Sequence, residues 1–315
     1  MLNTWNGAQK SAGYSDDLTN EEYHAIKWAV SSSYLKTTLT KGQRANFKQH
    51  EQTPSLIIGT AIHTRVLEGP KAFAEHYVIQ TPDINLRTKA GKEWKSQFES
   101  SGKTVLSAAD YDRVLGASSS IADMTEASEL LAKADVRERS FFWQDNQSGI
   151  WCKARPDAYA MSIEDGILLD IKTCASLDRF ERDIFTYAYD VQLAFYLRGL
   201  IALHGSTEPL PIAAGTYIIA VETSWPHRVG VYEVAPVVLA EADALVDVLC
   251  DHVAASGLFG GDESIAERFT KSDQFYGNKR ESIDGAPSWI ANERRSWAEG
   301  ANLALADAGY VRRVF

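Results

Sequence analysis

"GIWCKARPDAYAMSIEDGILLDIKT", residues 149–173, carries the pattern on which the fold turns. Its last eight residues, 166–173, read as a buried β-strand, yet they place Asp170 and Lys172 inside an apolar run. Burying either charge unpaired costs several kcal/mol, a large part of the roughly 5–15 kcal/mol by which a domain is stable, so something must compensate them. Side chains two apart on a strand share a face, and Asp170 and Lys172 therefore project together. Asp157 follows Pro156 at the end of the preceding strand, thirteen residues before Asp170. A hairpin of the two strands would set it beside them.

Two carboxylates that close repel and raise one pKa unless a divalent cation takes up the charge. Hard oxygen ligands favour magnesium, or manganese in its place, over zinc. A lysine beside them can hold or deprotonate an attacking water, as metal-dependent phosphodiester hydrolysis requires. A D-x-K strand taken alone reads equally as a surface salt bridge, so the rest of the chain has to weigh in.

Upstream, the sequence is mainly helical. "SSSYLKTTL" offers serine caps, "TPSLIIGTAIHTRVLEG" stops on a glycine, and "LRTKAGKEWKSQFESS" and "SAADYDRVLGASSSIADM" repeat apolar residues at helical spacing. The middle changes to short aromatic and branched runs, "RERSFFWQ", "GIWCKARPDAYAM" and "GILLDIKT", which read as consecutive strands. Two helices follow, then the strands "AAGTYIIAVE" and "HRVGVYEV", then a helix from Pro236. The expected fold is α/β (α+β), a mixed central sheet flanked by helices with a helical N-terminal part. Residues 1–22 are expected to be a tail, 23–235 the core, and 236–315 a helical or irregular extension of the same domain.

Composition narrows the class. The chain is 45% hydrophobic over 315 residues, ample for a sizeable core. No apolar run reaches the roughly 18 residues of a membrane span, and the first residues lack a signal-peptide layout, which leads to a cytoplasmic expectation. Cys152, Cys174 and Cys250 are scattered and fit no zinc or iron–sulfur spacing. A net charge of -10 advertises no global attraction to nucleic acid, although a carboxylate-rich metal site with its basic residues confined to one stripe would be compatible with it.

"RPD" and "DIKT", the second beginning thirteen residues after Asp157, resemble the PD-(D/E)XK nuclease signature, and "VQLAFYL" resembles the Q-x-x-x-Y motif that follows it in the RecB-like branch. "YHAIKWAVSSSYLK", "TPSLIIGTAIHTRVLE", "RTKAGKEW" and "IIAVETSWPHRVGVYEV" resemble segments of exonuclease VIII (RecE)-type nucleases in the same order, from about Tyr23 to Val234. That resemblance implies the PD-(D/E)XK fold and a hydrolase acting on phosphodiester bonds. It would be a magnesium-dependent 5′–3′ exodeoxyribonuclease that leaves 3′ single-stranded overhangs on linear duplex DNA. It implies recombination with a single-strand annealing protein of the RecT-like kind, and a homotetrameric ring. It also implies His63, Asp157, Asp170 and the Ile171 backbone carbonyl as metal ligands, Lys172 as the water-orienting amine, and Gln192 and Tyr196 beside the active site. The rival readings are another RecB-like DNA nuclease and a catalytically inactive DNA-binding or scaffold relative.

Three further sets of residues have two readings each. Glu138 opens "ERSFFW" and is either a further metal ligand or an edge-strand charge. Glu68 lies five residues beyond His63, on an α-helix about 140° away, and is expected to be a charged helix end. Arg87, Lys89, Lys92 and Lys95 are a DNA-binding stripe or a solvated helix face. Trp94, Phe141, Phe142 and Trp143 read as core aromatics that could instead stack on bases.

Overall fold

The computed structural model describes residues 10–47, 52–161, 166–204, 215–257 and 259. The first half runs β1 (Gly13–Ser15), α1 (Asn20–Ala25), β2 (Val30–Ser31), α2 (Ser32–Lys41), α3 (Pro54–His63), α4 (Gly69–His76), β3 (Tyr77–Ile79), α5 (Lys89–Ser100), β4 (Thr104–Leu106), α6 (Ala108–Asp123) and α7 (Thr125–Lys133). The second runs β5 (Val136–Arg137), β6 (Ser140–Gln144), β7 (Trp151–Ala154), β8 (Ala158–Ala160), β9 (Ile167–Cys174), α8 (Phe180–Thr186), α9 (Tyr189–His204), β10 (Gly215–Glu222), β11 (Val229–Glu233) and α10 (Pro236–Ser256). The capping serines and threonines do what their positions suggest: Ser31, Thr53, Thr88 and Ser107 each accept the N–H that opens the following helix.

Among the described residues the larger strands form two sheets, where the sequence suggests one. One has the order β11-β10-β9-β8-β5, the other β1-β6-β7-β2. The run "GIWCKARPDAYAM", expected to be a single strand, is split between them as β7 and β8. The break falls at Arg155–Pro156–Asp157, where proline lacks the N–H a ladder needs. The expected N-terminal tail is also revised. Gly13–Ser15 pairs antiparallel with β6, and α1 begins with a capping box between Thr19 and Glu22. Of the expected extension, 236–256 is α10, whose Leu245, Val246, Leu249 and Val253 pack into the same core as α9. Residues 260–315 lie outside the described residues.

β9 divides the core. Leu168 belongs to the cluster that holds α9 and α10, whereas Ile167, Leu169 and Ile171 belong to the cluster with α3, α6 and α7. Period two thus sends Asp170 and Lys172 toward α9. That helix lies close on the β1-β6-β7-β2 sheet because residue 199 is glycine. A Cβ there would stand 2.6 Å from Phe141 and 2.7 Å from Trp143. Phe141, Phe142 and Trp143 are buried, as core aromatics.

Candidate active site

The register of β8 on β9 pairs Ala158 with Leu169, so the next step of the antiparallel ladder sets Asp157 opposite Asp170. Both are buried, Asp170 completely. The Asp157 carboxylate accepts the Ile171 N–H at 2.6 Å and lies 3.5 Å from His63 Nδ1. His63 ends α3, which crosses the end of β9 closely: a Cβ on Gly59 would meet Thr173 Oγ1 at 3.2 Å. Burial alone would raise the Asp157 pKa, but His63, Lys172 and the Ile171 N–H outweigh it and hold the carboxyl below its ordinary value. Burial likewise opposes a charged His63, and the Asp157 carboxylate overcomes it and raises the imidazole's pKa.

Glu138 completes this flank. It does not open a strand; it sits between β5 and β6, at the point where the chain leaves one sheet for the other, with φ 50°. A left-handed backbone is costly for a glutamate, and its N–H is anchored to the Asp157 carbonyl at 3.1 Å. Donor atoms of His63, Glu138 and Asp157 all lie within 4.8 Å of one another. Burial, then the Asp157 charge, push the Glu138 carboxyl up to about 8; Glu68 adds to the push, and His63 and Arg155 oppose it. Glu68 itself is exposed where the turn after α3 meets the start of α4, a charged helix end as expected. Residues 64–68 form a π turn closed by Gly69 N–H to the Thr64 carbonyl, so α-helical angles do not apply between His63 and Glu68.

Asp170 faces the other way. Its Oδ1 accepts from Gln192 Nε2 at 3.0 Å, and its Oδ2 lies against the Lys172 ammonium while receiving no hydrogen bond of good geometry. Burial and then Asp157 act to raise the Asp170 pKa, which Lys172 offsets only in part. Burial would lower the Lys172 pKa, but Asp170 and Asp157 reverse that and keep the ammonium charged. Gln192 Nε2 also donates to Tyr196 Oη at 2.7 Å, the one-turn spacing placing both on the same side of α9.

The sequence reading passed over a second lysine. Lys36 Nζ donates to Gln192 Oε1 at 2.5 Å and stands 5.1 Å from the centre of the Tyr189 ring, as Lys172 Nζ does at 5.0 Å. Burial first, then Lys172, draw its pKa down to about 7. Ser32, one turn before Lys36 on α2, is hydrogen-bonded to Tyr196. The signal was a matched pair of i, i+4 positions, Ser32/Lys36 on one helix and Gln192/Tyr196 on the other.

The donor set fits a hard divalent cation. Two carboxylates and an imidazole converge, and a third carboxylate, Asp170, faces Asp157 across the paired strands. The basic stripe is not brought to this network. Lys89 and Lys95 pair with Glu93 and Glu99 on their own helix at 3.8 and 3.4 Å, and Arg87 is exposed, its N–H bonded to Asn85. No helix among the described residues is long and apolar enough to cross a membrane.

Residues 32–255 match a family described as "PDDEXK-like domain of unknown function (DUF3799)". Among solved structures, the chain is similar to one described as "Putative exonuclease" from Eubacterium rectale. The identity is 14%, 86% of this chain and 97% of that one are covered, and the TM-score is 0.48. No curated protein matches.

Proposed function

Since the chain belongs to the PDDEXK-like domain family matched over residues 32–255, we propose that it is a divalent-metal-dependent nuclease. The observation that carries this is the facing pair Asp157 and Asp170 with Lys172 beside them on a buried strand. At the finer level the reading is a magnesium-dependent exodeoxyribonuclease of the RecE kind, in the RecB-like branch. It digests one strand of linear duplex DNA from the 5′ end and leaves a 3′ overhang for a RecT-like annealing partner. The Q-x-x-x-Y pair and the order of motifs from Tyr23 to Val234 support it. A homotetrameric ring, activity with manganese, a cytoplasmic location and a core spanning 23–235 belong to the same proposal.

Asp157, Glu138, His63 and Asp170 are the residues that would hold the cation, with the Ile171 carbonyl a further ligand. When bound, such an ion lowers the pKa of a ligated water and neutralises charge on the phosphate. Lys172, kept charged by Asp170 and Asp157, acts as a hydrogen-bond donor that orients the attacking water and does not remove its proton. Gln192 fixes the direction of Asp170 through its amide N–H, and Tyr196 fixes Gln192. The test is digestion of 5′-phosphorylated linear duplex with magnesium. Release of 5′-mononucleotides is the expected result; an intact duplex in magnesium and in manganese would reject the reading.

A further inference from the structure

Lys36 has no place in the motifs from which the nuclease reading was built, yet it lies at the heart of the network. Its ammonium is held by a neutral amide, Gln192 Oε1 at 2.5 Å, and no ion pair among the described residues includes it. It shares the Tyr189 ring with a second ammonium, Lys172, at nearly equal distances of 5.1 and 5.0 Å. Two like charges share one ring and only one of them is bound to a carboxylate; Asp170, Asp157 and Asp190 act on Lys36 through space without a direct bond to it. A half-buried ammonium whose one hydrogen-bond partner is neutral is favoured by an anion that both amines can reach.

The rest of the wiring holds Lys36 at that spot. α2 and α9 meet through Ser32 with Tyr196 and Lys36 with Gln192, so the second amine arrives on a helix braced at two levels. Tyr34, on the same helix, bonds to Gln43, which bonds in turn to Ser256 at the end of α10. The stem is therefore fixed, and only the head of Lys36 has freedom to change partner.

We propose that Lys36 is a further substrate-contacting residue, whose ammonium leaves Gln192 to hydrogen-bond a non-bridging oxygen of the phosphodiester held beside Lys172. The proposal deepens the nuclease reading and rests on it for the identity of the phosphate, but the need for an anion at Lys36 comes from the geometry alone.

Lys36→Met and Lys36→Arg separate contact from mere bracing, with two readouts on the full chain. In cleavage of linear duplex with magnesium, Lys36→Met is expected to lower kcat/KM about 100-fold, the scale for loss of one donor to a charged transition state, and Lys36→Arg to recover much of it. In melting experiments without metal, inorganic phosphate is expected to raise the Tm of the unchanged protein and of Lys36→Arg but not of Lys36→Met. Cleavage by Lys36→Met within twofold of the unchanged protein overturns the proposal. So does a loss of cleavage with an unchanged phosphate effect, which would make Lys36 only a brace for Gln192. If the unchanged protein cuts no DNA, the nuclease reading falls, and the phosphate effect alone decides Lys36: a shift lost in Lys36→Met upholds it, and no Lys36-dependent shift rejects it.

Discussion

On one flank of the paired strands β8 and β9, His63, Glu138 and Asp157 crowd their donor atoms within 4.8 Å; on the other, Lys172 and Lys36 flank a tyrosine ring while Gln192 ties them to Asp170. The first flank sets two carboxyl groups beside one imidazole, and burial first, then Asp157, push the carboxyl of Glu138 up. The second sets two ammonium groups side by side, and burial first, then Lys172, pull the pKa of Lys36 down. The two imbalances have opposite sign and meet at Asp157 and Asp170. A cation on the first flank and a phosphate on the second would relieve both at once, so a metal ion and a phosphate together suit the site better than either alone.

Several substitutions separate the flanks. The largest effect is expected on the amine side. Lys172→Met should reduce DNA cleavage at least about 1,000-fold while leaving manganese affinity, measured by calorimetry, close to that of the unchanged protein. A matching loss of manganese binding would show that the flanks are not separable. On the acid side, Asp157→Asn should weaken manganese by more than the roughly 10–100-fold that loss of an outer-shell partner costs. Unaltered affinity would move the metal elsewhere.

A smaller effect tests the platform that both flanks share. Gly199→Ala forces a methyl group against Phe141 and Trp143, and should cost about 1–3 kcal/mol in denaturant unfolding. A neutral result would mean that α9 can shift on its sheet without penalty.

Much of this was legible in the residues. Alternation alone puts Asp170 and Lys172 on the face opposite Ile171, and the one-turn spacing of Gln192 and Tyr196 puts them on one side of a helix. Pro156 was visible as well, but not that the chain changes sheets there, because a proline break reads the same whether a strand bends or ends. Glu138 was a candidate ligand from the sequence, but its place between two strands was hidden for a related reason: its left-handed backbone follows from that change of sheets and has no local glycine or asparagine to announce it. Glu68 was read correctly as a charged helix end, although the π turn that carries it leaves no mark in a pattern read with α-helical angles. Lys36 was missed because a lysine in the second turn of a capped helix is ordinarily solvated. Only the tertiary docking of α2 on α9 buries it.

pH sharpens the contrast further. Between about 4.5 and 7 the folded state keeps a proton on Glu138 that the unfolded chain has lost, so this group contributes stability at low pH that fades as pH rises. Lys36 acts oppositely above about 7: the unfolded chain is protonated where the folded one is not, so its contribution grows with pH. Metal-free Glu138→Gln should therefore show a flatter decline of Tm between pH 5 and 7, and Lys36→Met a flatter rise above it. Profiles that both follow the unchanged protein would mean that neither group is perturbed. The smallest effect is expected from α5. Combined Lys89→Ala and Lys95→Ala should change stability by less than about 1 kcal/mol. If the helix grips DNA, each loss should also lower the salt dependence of binding by about one unit, and an unchanged salt slope would leave only a solvated face.

The claim on which the account rests is that a hard cation sits between the acid flank and Asp170. Anomalous diffraction from crystals soaked in manganese tests it most directly. The expected result is a peak bonded to Asp157 and shared with Glu138, His63 or Asp170; density confined to other carboxylates at saturating manganese would contradict it.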